Sequence, residues 1–86
     1  MSHAVPSQQA AVPNHAPQPG LYQHYKGPLY KVLDVARHSE TDEWLVVYSL
    51  CYGDYSTWVR PLDMFVETVT LDSGEEVPRF ERLPEA

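Results

Sequence analysis

The stretch Trp44–Phe65, WLVVYSLCYGDYSTWVRPLDMF, constrains the fold more than any other window. Its first part, Trp44 to Tyr52, is too short to span a membrane and is rich in β-branched and aromatic residues, so it reads as a buried strand. Gly53-Asp54 follows as the centre of a hairpin turn, with glycine first as a type II′ turn requires. In that register Tyr52 faces Tyr55, Ser49 faces Trp58 and Tyr48 faces Val59. Tyr48, Leu50 and Val59 then share the core side. Val47, Ser49, Cys51, Trp58 and Arg60 share the outer side, because that set holds an arginine and a serine. Pro61 ends the returning strand, and Pro61–Phe65 suits one helical turn, with Met64 and Phe65 plugging the core.

The rest of the chain supports a β reading. Leu21–Lys26 mixes aromatic and polar residues as an exposed first strand, and Gly27-Pro28 bends the chain. Leu29–His38 is apolar on both sides, Tyr30 and Val32 on one and Leu33 and Val35 on the other, which places it inside the sheet. The polar run Ser39–Glu43 turns the chain back, with Ser39 closing an ST-turn. Val66–Leu71, a turn at Asp72-Ser73-Gly74, and Glu76–Leu83 with an edge-marking Pro78 complete five or six strands. The predicted fold class is all-β: a small SH3-like barrel or strongly bent antiparallel sheet with one short helical turn. The organisation is a disordered tail over residues 1–19 and a β domain over residues 20–83.

The tail assignment rests on composition. Residues 1–19 hold four of the eight prolines, with no Asp, Glu, Lys, Arg or aromatic residue, and cannot bury enough apolar surface to offset the entropy of ordering. The two tryptophans, six tyrosines and two phenylalanines all fall after it, and aromatic burial is how so short a domain could hold a core. The single cysteine, Cys51, excludes an internal disulfide and a thiolate metal cluster, and points to the cytoplasm. Net charge is −6, and from Asp63 onward seven acidic residues face only Arg79 and Arg82. That balance disfavours general nucleic-acid binding. Lys26, Lys31, Arg37 and Arg60 precede it and leave room for a local anion site.

Four ordered motifs carry a resemblance. At His24-Tyr25-Lys26-Gly27, Ala36-Arg37-His38-Ser39-Glu40-Thr41, Tyr52-Gly53-Asp54 and Trp58-Val59-Arg60-Pro61 through Met64-Phe65, the chain resembles a family of short bacterial proteins known as a domain of unknown function. The resemblance covers about Gly20 to Phe80, with Cys51 between Leu50 and Tyr52 as a small departure. It implies a bacterial, soluble, single-domain protein and supplies no catalytic residues.

Chemistry must then be read from the side chains themselves. Tyr25, Arg37, His38, Trp58 and Arg60 form the candidate ligand-binding set, since arginine beside aromatic surface offers a planar fork for carboxylate or phosphate together with a stacking partner. Arg37 and Arg60 could meet across the sheet. Alternatively Arg37 pairs with Glu40 or Glu43 and Arg60 with Asp54 or Asp63 as surface ion pairs. The function expected is an uncharacterised binding module for an anionic or aromatic portion of a peptide or small ligand, without cofactor or membrane partner. A small hydrolase using His24, His38 and Glu40 is one alternative, and a single-stranded nucleic-acid binder is another. No metal site is expected from the wide His24–His38 spacing. Ser39 and Cys51 lack a converging base, so no catalytic residue is assigned.

Overall fold

The computed structural model describes residues 12–84. Seven strands and one helical turn follow in order: β1 Gly20–His24, β2 Leu29–Arg37, β3 Trp44–Leu50, β4 Thr57–Pro61, α1 Leu62–Phe65, β5 Thr68–Thr70, β6 Glu76–Pro78 and β7 Phe80–Arg82. β4-β3-β2-β1-β7 form one antiparallel sheet, and β5-β6 form a separate hairpin. The sheet is strongly bent but does not close into a barrel: β4 and β7 remain its two ends.

The core lies on the concave side of that sheet. Tyr22, Tyr30, Val32, Val46, Tyr48, Leu62, Phe65 and Phe80 are buried together. Phe65, from α1, stacks on Phe80, from β7, with centroids 4.2 Å apart and planes 1° from parallel. Tyr22 meets Phe65 edge-on at 5.6 Å, and Tyr30 meets both Tyr48 and Phe80 edge-on at 5.4 Å. Edge-on and offset pairs are the arrangements the ring quadrupole favours, and they add to the apolar area removed from water. The helical turn works as expected, but its second plug is Leu62; Met64 faces outward.

Three expectations about strands are corrected. β1 is no exposed first strand, because it is paired on one side with β2 and on the other with β7, and its Tyr22 is buried. In β2 the pairing with β3 jumps from Val32↔Tyr48 to Asp34↔Val47, leaving Leu33 as a bulge. The bulge inserts one residue, so Val35, opposite buried Val46, returns to the side of Tyr30 and Val32. The last strand is broken at Arg79, whose N–H donates to the Glu67 carbonyl (3.0 Å), so β6 and β7 belong to different sheets.

Residues 12–19, expected within the loose tail, lie against the sheet. Ala16 packs on the core, the Tyr22 hydroxyl donates to the Gln18 carbonyl (2.9 Å), and Arg82 Nη2 donates to the Pro19 carbonyl (3.1 Å). The same expectation for residues 1–11 lies outside the described residues.

Candidate functional site

The β3–β4 hairpin decides which side chains face the concave side, and its register is one residue away from the expected one. Gly53 does sit in the turn with positive φ (62°), and Tyr55 N–H donates to the Tyr52 carbonyl (3.1 Å). Tyr55 itself is also left-handed (φ 57°), and the ladder resumes with Leu50 N–H meeting the Ser56 carbonyl (2.9 Å), so that Cys51 is one residue more on the outgoing arm. Tyr48 therefore pairs with Trp58 and Val46 with Arg60. Because paired residues project to the same face, Trp58 and Arg60 belong to the side of buried Tyr48 and Val46, and Val59 faces outward. The expected core assignment of Val59 is thereby overturned; it is 56% exposed.

Arg60 ends up over aromatic rings instead of in solvent. Its guanidinium carbon lies 5.3 Å from the Phe80 centroid and 6.0 Å from that of Tyr48, within cation–π range. The contact spans the gap between the two end strands, β4 and β7. Its Nε is shielded from water and has no hydrogen-bond partner. Neither Asp54 nor Asp63 pairs with it; among the described residues the ion pairs are Arg37–Asp42 and Arg79–Glu67, both at 2.6 Å.

The groups around Arg60 are neutral. The Tyr30 and Tyr52 hydroxyls share a 3.0 Å hydrogen bond, and burial, then that bond, push the Tyr30 phenol up to about 12, so it offers the guanidinium no negative charge at neutral pH. His24 meets Phe80 edge-on at 5.0 Å, on the ring that also carries Arg60, and its Nδ1 accepts the Lys26 N–H (3.2 Å). Burial first, then the charges of Arg60, Arg79 and Lys26, hold its imidazole below the ordinary histidine value.

That depression has a signed consequence for stability. Above the unfolded value, about 6.5, both folded and unfolded chains carry a neutral His24 and nothing is lost. As pH falls below it the unfolded chain takes up the proton first, so stability drops until the depressed folded value is passed. His24→Gln should flatten the part of a urea-midpoint profile that lies below about pH 6.5. An unchanged slope would show that His24 is not the group responsible.

Trp58 is the exposed member of this face, at 54%. It is not loose: indole Nε1 donates to Ser56 Oγ (2.7 Å), whose hydroxyl donates to Asp54 Oδ1 (2.7 Å). Asp54 also accepts the Ser56 N–H (3.0 Å), and these bonds lower its carboxyl pKa. The Tyr52-Gly53-Asp54 motif thus positions an indole two residues from Arg60 on the same side of a strand.

The other candidates lie elsewhere. Arg37 Nη2 pairs with Asp42, its Nε donates to the Asp42 carbonyl (3.1 Å), and its guanidinium covers Trp44 at 4.6 Å. His38 caps the β2–β3 turn in place of Ser39: its Nδ1 accepts the N–H groups of Glu40 (3.0 Å) and Thr41 (3.2 Å). His24 sits beside the start of β2 and His38 just past its end, at opposite ends of a strand of 9 residues. The His24–His38–Glu40 constellation of the hydrolase alternative is therefore not assembled. Arg37 and Arg60 do not meet either, since Arg37 lies opposite Trp44 and Arg60 opposite Val46. Tyr25 stacks against His24 at 4.7 Å and lines a neighbouring cleft of about 280 Å³ with Leu71, Val77 and Pro78. Among the described residues no group of three His, Cys, Asp or Glu side chains could hold a metal ion, and no helix is long and apolar enough to cross a membrane.

Sequence reasoning missed Phe80 and Tyr48 as the bed of the arginine. The signal was the left-handed Tyr55, which no residue type announces.

Comparison with known proteins agrees with this fold. A crystal structure of a DUF1653 protein from Bordetella bronchiseptica superposes with a TM-score of 0.72 at 39% identity, over 80% of this chain and 90% of that one. No curated protein matches. The family model described as "Protein of unknown function (DUF1653)" matches residues 20–82, from the first residue of β1 to the last of β7, and the chain belongs to that family.

Proposed function

We propose that this protein is a binding module that holds the anionic group of a ligand at Arg60 while an aromatic or apolar part of the same ligand stacks on Trp58. The observation that carries it is the half-buried guanidinium whose Nε has no partner. Leaving such a donor unsatisfied costs about 1–3 kcal/mol, so the guanidinium is held there without a protein acceptor, and its Nη groups, unlike Nε, are open to a ligand oxygen. A charge-assisted bond from arginine to carboxylate or phosphate is among the strongest a surface can make. The pinned indole beside it supplies a rigid stacking plane, and Trp and Arg dominate binding energy at interfaces.

Phenyl phosphate, a ring joined to an anion, is the simplest probe. In an NMR titration it should shift the Trp58 Nε1–H and Arg60 Nε–H signals. Trp58→Ala should weaken its binding about tenfold, the scale of one lost stacking contact, while leaving the far-UV spectrum unchanged. If Trp58→Ala unfolds the chain, the indole is a structural element and the proposal loses its anchor. If no signal near Arg60 moves, the site is not anionic.

A further inference from the structure

We propose that the free edge of β4 receives an extended peptide strand whose acidic side chain lies opposite Arg60. This rests on the anion-holding role of Arg60 argued above and names the partner class.

Hydrogen-bond parity shows what that edge offers. Leu50 N–H donates to the Ser56 carbonyl (2.9 Å) and Cys51 N–H to the Leu29 carbonyl (3.1 Å). Even-numbered residues of β3 therefore address β4 and odd-numbered ones address β2. With Tyr48↔Trp58 and Val46↔Arg60, the backbone groups of Trp58 and Arg60 are engaged by β3. Those of Thr57 and Val59, and the carbonyl of Pro61, point the other way. β4 ends the sheet, and among the described residues no strand pairs with that side. Pro61 occupies an outward position, where a missing N–H disturbs no ladder bond.

Edges of this kind are usually blunted by charged side chains, proline, bulges or a covering loop; here the charge, Arg60, is turned onto the concave side and Pro61 stands at the strand's end. This one presents Thr-Trp-Val-Arg-Pro, with Trp58 and Val59 more than half exposed. A strand added antiparallel would bond to Thr57 and Val59, so Trp58 and Arg60 would occupy the non-hydrogen-bonded pairs, where facing side chains are closest. The residue facing Arg60 would project onto the concave side, beside an unpaired cation on an aromatic bed. A carboxylate is its electrostatic complement. Two positions later in the partner, the residue facing Trp58 should be apolar or aromatic. The recognised sequence is thus Asp/Glu-x-apolar in an extended segment, with backbone bonds supplying affinity and the two side chains specificity. A second copy fits less well, since two-fold pairing about Val59 sets Trp58 against Arg60 and brings no carboxylate.

The test selects a displayed random octapeptide library on the immobilised full chain and compares Val59→Pro with Arg60→Met. Val59→Pro deletes one outward N–H at a position where the β3 ladder needs none, so a dispersed NMR spectrum should persist. Enriched peptides should carry Asp/Glu-x-apolar, bind Val59→Pro at least tenfold more weakly and fail on Arg60→Met, while phenyl phosphate binds Val59→Pro as it binds the wild type. Enrichment without acidic residues, or equal peptide binding to Val59→Pro, overturns the strand. Phenyl phosphate binding without any selected peptide also overturns it and leaves the Arg60 site standing. Failure of phenyl phosphate on the wild type removes the site itself. Self-association of the wild type that Val59→Pro abolishes would replace the peptide with a second copy.

Discussion

Phe65→Ala is expected to leave most of the chain unfolded at room temperature. Phe65 is 2% exposed, stacks on Phe80 at 4.2 Å and receives Tyr22 edge-on at 5.6 Å. Truncating a buried phenylalanine costs about 3–5 kcal/mol through lost transfer energy and the cavity left behind. A domain of this size has only about 3–5 kcal/mol from its core. The ring also comes from a single helical turn, Leu62–Phe65, closed by Val66 N–H to the Leu62 carbonyl (3.1 Å), so the turn has little reason to stay docked without it. Urea unfolding followed by far-UV circular dichroism measures the loss. A midpoint near that of the wild type would show that α1 is dispensable and that Phe80 packs without it.

Arg60→Met should separate stability from binding, leaving the first nearly unchanged while the second is lost. Methionine keeps the length and apolar stem of arginine while deleting a buried Nε–H that has no partner. Removing an unsatisfied buried donor recovers about 1–3 kcal/mol. Loss of the cation–π contacts to Tyr48 and Phe80 takes back roughly 0.5–1 kcal/mol each. The two nearly cancel, so the chain should lie between about 1 kcal/mol less and about 2 kcal/mol more stable than the wild type, and only a larger loss counts as destabilisation. Anionic ligands should bind at least 100-fold more weakly, the equivalent of about 2.7 kcal/mol for a lost charge-assisted bond. Destabilisation by Arg60→Met would mean the guanidinium holds the two end strands together and is structural first.

The sequence made the architecture legible where local chemistry is strong. The apolar run from Trp44, the proline-initiated turn at Leu62–Phe65 and the Asp72-Ser73-Gly74 corner all form as composition and turn chemistry require. What was not legible turns on single residues with no local signature. Leu33 bulges in a strand whose alternation looks regular, and Tyr55 takes a left-handed conformation that tyrosine rarely adopts. Each moves its strand by one place and so exchanges faces, which is why Arg60 was read as outward and Val59 as core. Trp58 was read as exposed, and it is, at the open rim of the concave side. Arg37 and His38 looked like ligand groups because a polar turn gives no hint that Asp42 and two backbone amides already engage them.

The bulge at Leu33 also governs how freely this protein can change its length. One unpaired residue in the central strand keeps both ends of β2 presenting their apolar side chains inward while the sheet curves. Deleting it would regularise the ladder and still leave Val35 opposite Val46, removing only the local kink, whereas an inserted neighbour would have to be taken up by a wider bulge. Point changes along β2 can be absorbed one contact at a time, and loss of the bulged residue leaves the inward-facing set unchanged. The bulge is for that reason the place where the spacing between the HYKG and ARHSET segments can shorten by one residue without exchanging the faces of β2.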